Sequence, residues 1–139
     1  MTVYQLRNKI RNLKEQIEDY EDEIRSCKRK IERKEETLFL VQKKRNMFEE
    51  FFYRWKSRIQ NTGEEFQNMF FISKFQEDFT EFLEGMEYQR AVEGYGQAVL
   101  SLKTEMESLW CHESDLRHAI LEKETELESL QKRLRNMEV

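Results

Sequence analysis

Apolar residues recur along the first part of this chain with an unbroken 3-4 spacing: Val3, Leu6, Ile10, Leu13, Ile17, Tyr20, Ile24, Cys27, Ile31, Lys34, Leu38, Val41, Arg45, Phe48, Phe52, Trp55 and Ile59. An α-helix turns once in 3.6 residues, so positions at this spacing form one stripe, the seam of a coiled coil. Only Lys34 and Arg45 are charged among them. The spacing predicts a first helix over about residues 2–59, about 85 Å long at 1.5 Å per residue. A second 3-4 series runs through Tyr88, Val92, Tyr95, Val99, Leu102, Met106, Leu109, Glu113, Leu116, Ile120, Lys123, Leu127, Leu130, Leu134 and Met137. It predicts a second helix over about residues 74–137.

The two stripes can cover each other. Laid antiparallel so that facing residue numbers add to 140, Ile10 meets Leu130, Leu13 meets Leu127, Tyr20 meets Ile120, Leu38 meets Leu102, and Trp55 sits over Gly85. The expected fold is all-α: one domain over residues 1–139, a long antiparallel two-helix coiled-coil hairpin with a short, aromatic-rich helical connection over about residues 60–73. Thr62-Gly63-Glu64-Glu65 and Ser73-Lys74-Phe75-Gln76 both fit the capping-box pattern, which predicts helix starts after Thr62 and Ser73. The second of these is expected to merge into the C-terminal helix. Gly94-Tyr95-Gly96 lies within that helix and predicts a bend or a close helix crossing, with a hinge as the alternative.

Charge strengthens the hairpin reading. Residues 1–58 carry 16 Lys and Arg against 11 Asp and Glu, while residues 59–139 carry 8 against 17. Opposite halves attract when laid side by side, whereas two copies of the acidic half repel. Charged residues make up 37% of the chain and proline is absent, which suits exposed helices with narrow apolar stripes rather than a thick core. The four polar interruptions of the seams, Lys34, Arg45, Glu113 and Lys123, are candidates for setting register or partner choice. Glu113 is expected to snorkel out of the seam or to meet a basic residue such as Lys28 or Lys30 of the first helix.

Thirteen of the seventeen aromatic residues fall between Phe48 and Tyr95. Phe48, Phe52 and Trp55 lie on the seam, but Phe51, Tyr53, Phe66, Phe70 and Phe71 point in too many directions to share it. Some must face outwards, and exposed aromatics mark partner sites. The candidate partner-binding residues are Phe51, Tyr53, Trp55, Phe66, Phe70, Phe71, Phe75 and Phe79. Replacing Phe70 and Phe71 together by Asp is expected to abolish partner binding with helicity intact.

Other chemistry is sparse. His112, His118, Cys111 and Asp115 cluster on one stretch of the second helix, but the first helix has no histidine to complete a carboxylate-bundle metal site. No glycine-rich phosphate loop, nucleophile elbow or Cys-x-x-Cys pair is present, so neither enzymatic activity nor a cofactor is expected. Lys28-Arg29-Lys30 and Lys43-Lys44-Arg45 sit among Glu residues in an acidic chain, which reads as a solvated face rather than a nucleic-acid site. Around the aromatics, Glu64, Glu65, Glu77, Asp78, Glu81 and Glu84 outnumber Lys74, against insertion into a membrane surface. The N-terminal residues lack a signal-peptide core, and two unpaired cysteines suit a reducing compartment, so a cytoplasmic protein is expected.

A proline-free chain of two long helices, with aromatics gathered around the reversal and Trp55 just before it, resembles the WXG-type, ESAT-like helical hairpins of the type VII secretion system. More narrowly, it is similar to the small α-helical partners of LXG-domain toxins in the type VIIb system. The resemblance implies a targeting factor that binds the toxin's helical N-terminal domain, alone or with a second small helical factor, and leaves the cell only in complex with it. Trp55-Lys56-Ser57 lacks the W-x-G turn, and no Y-x-x-x-D/E or F-x-x-x-D export motif is present, so the chain is similar to the motif-less partner of such a pair. A coiled-coil scaffold that homodimerises through the same seam is the alternative. An adaptor should be monomeric or weakly self-associating by itself, and a scaffold a stable homodimer.

Overall fold

The computed structural model describes residues 1–65 and 70–138. Three helices account for all of these except Met1, Thr2 and Gly85: α1 (Val3–Glu65), α2 (Phe70–Glu84) and α3 (Met86–Glu138). The chain is all-α, and contacts divide it into two units, Met1–Lys34 with Glu105–Val139, and Glu35–Thr104. In each, α1 and α3 run antiparallel, which is the pairing of a coiled-coil hairpin.

α1 begins with a reciprocal cap. The Gln5 amide donates to Thr2 Oγ1 at 3.2 Å, and the Thr2 amide donates to Gln5 Oε1 at 2.9 Å. These bonds satisfy two amides that the first turn would otherwise leave without partners. From there the seam is buried in the expected order. Leu6, Ile10 and Leu13 form one cluster with Leu127, Leu130 and Leu134, and Ile24 and Cys27 form another with Tyr20, Leu109, Leu116 and Ile120. Both clusters join residues whose numbers add to 140, the register expected from the two stripes. Ion pairs flank the clusters in the first unit: Arg7 with Glu138 at 2.5 Å, Lys9 with Glu126 at 3.9 Å, and Lys34 with Glu105 at 2.6 Å. They are solvent-exposed, so they direct the antiparallel pairing more than they stabilise it.

The second unit closes the same register with rings. Phe52 stacks on Tyr88 with centroids 3.9 Å apart, and Phe48 lies 5.8 Å from Tyr88 and 6.0 Å from Tyr95.

The helix boundaries differ from expectation. α1 does not stop at Ile59 but continues to Glu65, so Thr62 is an interior helical residue and starts nothing. Extending a long helix costs far less than starting a new one, and Gly63 alone is too weak a breaker to end it. α2 begins at Phe70, ahead of Ser73, and residues 66–69 lie outside the described residues. α2 also does not merge into α3, because the chain bends at Gly85. A Cβ at Gly85 would lie 2.7 Å from the Glu81 carbonyl oxygen. An alanine at Gly85 would therefore press on the backbone of the preceding turn, at the bend between α2 and α3. Gly94 and Gly96 lie inside the continuous α3, where an added Cβ would meet nothing within 4 Å, so no close helix crossing depends on them.

Candidate partner-binding surface

The aromatic residues of the second unit separate onto different faces. Phe48, Phe51, Phe52 and Trp55 follow one another at helical spacing and point from α1 towards the start of α3, where Glu87, Tyr88 and Ala91 stand, while α2 adds Phe82. Together they line a cavity of about 450 Å³ open to solvent. Glu87 is the only charged group among the described lining residues. The volume falls within the range of ligand pockets, and an apolar wall with few polar groups is suited to apolar side chains or rings.

The walls of this cavity are exposed: Phe51 at 61%, Phe82 at 58% and Trp55 at 39% of their surface. Phe52 is buried, fixed by its stack on Tyr88, and so forms the floor. The rim is also ordered by rings, with Phe51 edge-on to Trp55 at 6.0 Å. The Tyr88 phenol is held above its usual pKa, chiefly by desolvation, with the Tyr53 phenol and the Glu49 carboxylate adding to the shift and Lys56 opposing it. At neutral pH its hydroxyl is therefore uncharged, and the floor of the cavity carries no charge that would repel an apolar occupant.

Among the other residues singled out by the sequence, Tyr53 and Phe75 are exposed but do not line the cavity. Phe66 lies outside the described residues, as do the side chains of Phe70, Phe71 and Phe79, which belong to α2. Of the four polar seam residues, Lys34 reaches across to Glu105, which gives it a role in register. Arg45 pairs with Glu49 at 3.5 Å, and Glu113 with Arg117 at 2.8 Å, each one turn away on its own helix. Glu113 thus meets a basic residue, but Arg117 of its own helix rather than Lys28 or Lys30, because a neighbour four residues along the helix is reached without spanning the seam. Lys123 is half-buried on α3. Cys27 is buried in the seam and Cys111 is exposed, both as free thiols.

Phe82, Tyr88 and Ala91 of the cavity were not singled out as binding residues from sequence. A further exposed group was missed as well: Phe39, Leu40 and Met47, which with Tyr53 lie on the outer face of α1. Their signal was present as a second apolar stripe half a turn from the first.

No helix among the described residues is long and apolar enough to cross a membrane, and no group of three or more metal-ligating side chains comes together among them. Comparison with protein-family models, with curated proteins and with solved structures finds no match to this chain. The functional reading therefore rests on the placement of its residues and on the resemblance drawn above.

Proposed function

We propose that this protein is a non-enzymatic helical adaptor, and that the aromatic cavity of its second unit receives apolar anchor side chains from an elongated helical partner. The observation that carries this reading is the exposure of Phe51, Phe82 and Trp55 around a solvent-open apolar cavity. Aromatic residues that are exposed and already held in place lose little freedom on binding and give large contact area, which is how a few residues come to dominate an interface. An amphipathic helix laid on such a surface presents anchors at i, i+3 or i+4, and i+7. The resemblance to type VIIb targeting partners names the candidate: the helical N-terminal domain of an LXG toxin, with a second small helical factor as a further member of the complex. Export, on this reading, happens only in that complex.

The alternative, a scaffold that homodimerises through the seam, is less well supported. Leu6, Ile10, Leu13, Ile24 and Cys27 are buried against α3 of the same chain, so a seam dimer would first have to open both clusters.

The test is a calorimetric titration of the protein with the N-terminal domain of an LXG toxin encoded beside it. One toxin domain is expected to bind per adaptor chain. Phe51→Asp combined with Phe82→Asp should weaken the complex at least a hundredfold, since truncating each hot-spot aromatic costs about 2 kcal/mol or more, while circular dichroism stays unchanged. Full affinity in the double variant would overturn the cavity as the site. Absence of such a neighbouring toxin gene would overturn the toxin as the partner.

A further inference from the structure

The outer face of α1 in the second unit carries an apolar stripe turned away from the seam. Phe39 and Tyr53 are each 66% exposed, Met47 59% and Leu40 54%. Counted on the 3.5-residue turn that the seam follows, Phe39, Leu40, Lys43, Asn46, Met47, Glu50, Tyr53 and Arg54 all point within about 50° of the direction opposite the seam. They cover about 22 Å of helix at 1.5 Å per residue. Single exposed apolar residues need no explanation, but four large ones on one face do.

The stripe complements itself when it is reversed. Turned end over end about a point between Asn46 and Met47, it places Lys43 opposite Glu50, Leu40 opposite Tyr53, and Phe39 opposite Arg54. Three levels are then favourable, an ion pair, an apolar contact and a guanidinium over a ring, each occurring twice, around the two copies of Met47 beside the axis. This is the requirement for an isologous contact, in which one patch meets its own copy across a twofold axis. A parallel arrangement would instead set Lys43 against Lys43 and Glu50 against Glu50.

We propose that this face is a self-association surface, on which α1 of a second copy of the protein packs antiparallel with its twofold axis between Asn46 and Met47. The contact leaves both seams closed and the aromatic cavity free, so it is independent of the adaptor reading. Four apolar side chains from each copy make a small interface, of the size found in transient complexes. Dimerisation is therefore expected to be weak, with a midpoint on the order of 10 to 100 µM.

Sedimentation equilibrium of the full chain over that range tests the proposal. The wild type should pass from monomer to dimer. Met47→Glu should abolish the dimer, and Lys43→Glu should weaken it about tenfold, since it turns two attractive pairs into repulsive ones. Combining Lys43→Glu with Glu50→Lys restores both pairs and should bring the dimer back to within about threefold of wild type. Recovery in the doubly charged-swapped chain also shows that the single variant had not simply misfolded. Phe51→Asp with Phe82→Asp should leave the dimer unchanged, which separates this surface from the cavity. A wild type that stays monomeric up to about 500 µM, a dimer indifferent to Lys43→Glu and Met47→Glu, or a charge swap that fails to restore it would each overturn the proposal.

Discussion

Leu6 has no exposed surface at all, whereas Arg45 occupies an equivalent seam position with its side chain 38% exposed and an ion pair within its own helix. These two residues bracket what a seam position can be worth. Leu6→Ala should cost about 2–5 kcal/mol, the usual range for emptying a well-packed leucine site, and thermal unfolding checks it. Arg45→Leu should act in the opposite direction. It gives up an exposed pair of small value and adds apolar burial, so the melting temperature should rise, and a fall would show that Arg45 makes a structural contribution beyond the Glu49 pair. Tyr88 supplies a residue-level pH dependence. Its pKa is raised in the folded chain, so folding favours the neutral phenol; the stability this contributes is complete below the free tyrosine pKa and is lost as pH rises through the folded value. An absorbance titration should show one of the five tyrosines ionising after the others.

At the level of elements, the glycines separate two situations that sequence alone presents alike. Gly85→Ala should destabilise, because the new Cβ would press on the Glu81 carbonyl at 2.7 Å. Gly94→Ala and Gly96→Ala should each stabilise by roughly 1 kcal/mol, as helix interiors with open space outside them do. Circular dichroism melts of the three variants distinguish these outcomes, and a loss of stability at Gly94 or Gly96 would restore the case for a bend there. The same contrast explains what was legible. The seam from Val3 to Phe52 could be read because a 3-4 stripe repeats over many turns, and each of its positions is buried or half-buried in the folded chain. Helix ends could not be read as well, because a capping box spans only four residues: Thr2 with Gln5 forms one, while Thr62 with Glu65 matches the same pattern inside α1. The cavity was only half legible. Phe51 and Trp55 declared themselves by position on α1, but Phe82 and Tyr88 join them through the fold, and the outer stripe of Phe39, Leu40 and Met47 was masked by the stronger seam beside it.

For the molecule as a whole, the decisive point is that the apolar stripe is covered from within the chain. On that basis the aromatic cavity and the outer face of α1 are proposed as partner surfaces, and a seam left open would remove the reason for both assignments. The native Cys27, buried in the seam, allows a direct test. Glu113 is the residue that the observed register places opposite it, between Leu109 and Leu116 of the same cluster. Mild oxidation of the Glu113→Cys, Cys111→Ser variant at low micromolar concentration should therefore give a disulfide within one chain, seen as a faster-migrating monomer on a non-reducing denaturing gel. A cross-linked dimer whose yield rises with protein concentration would contradict the account, because the seam would then be closing between chains.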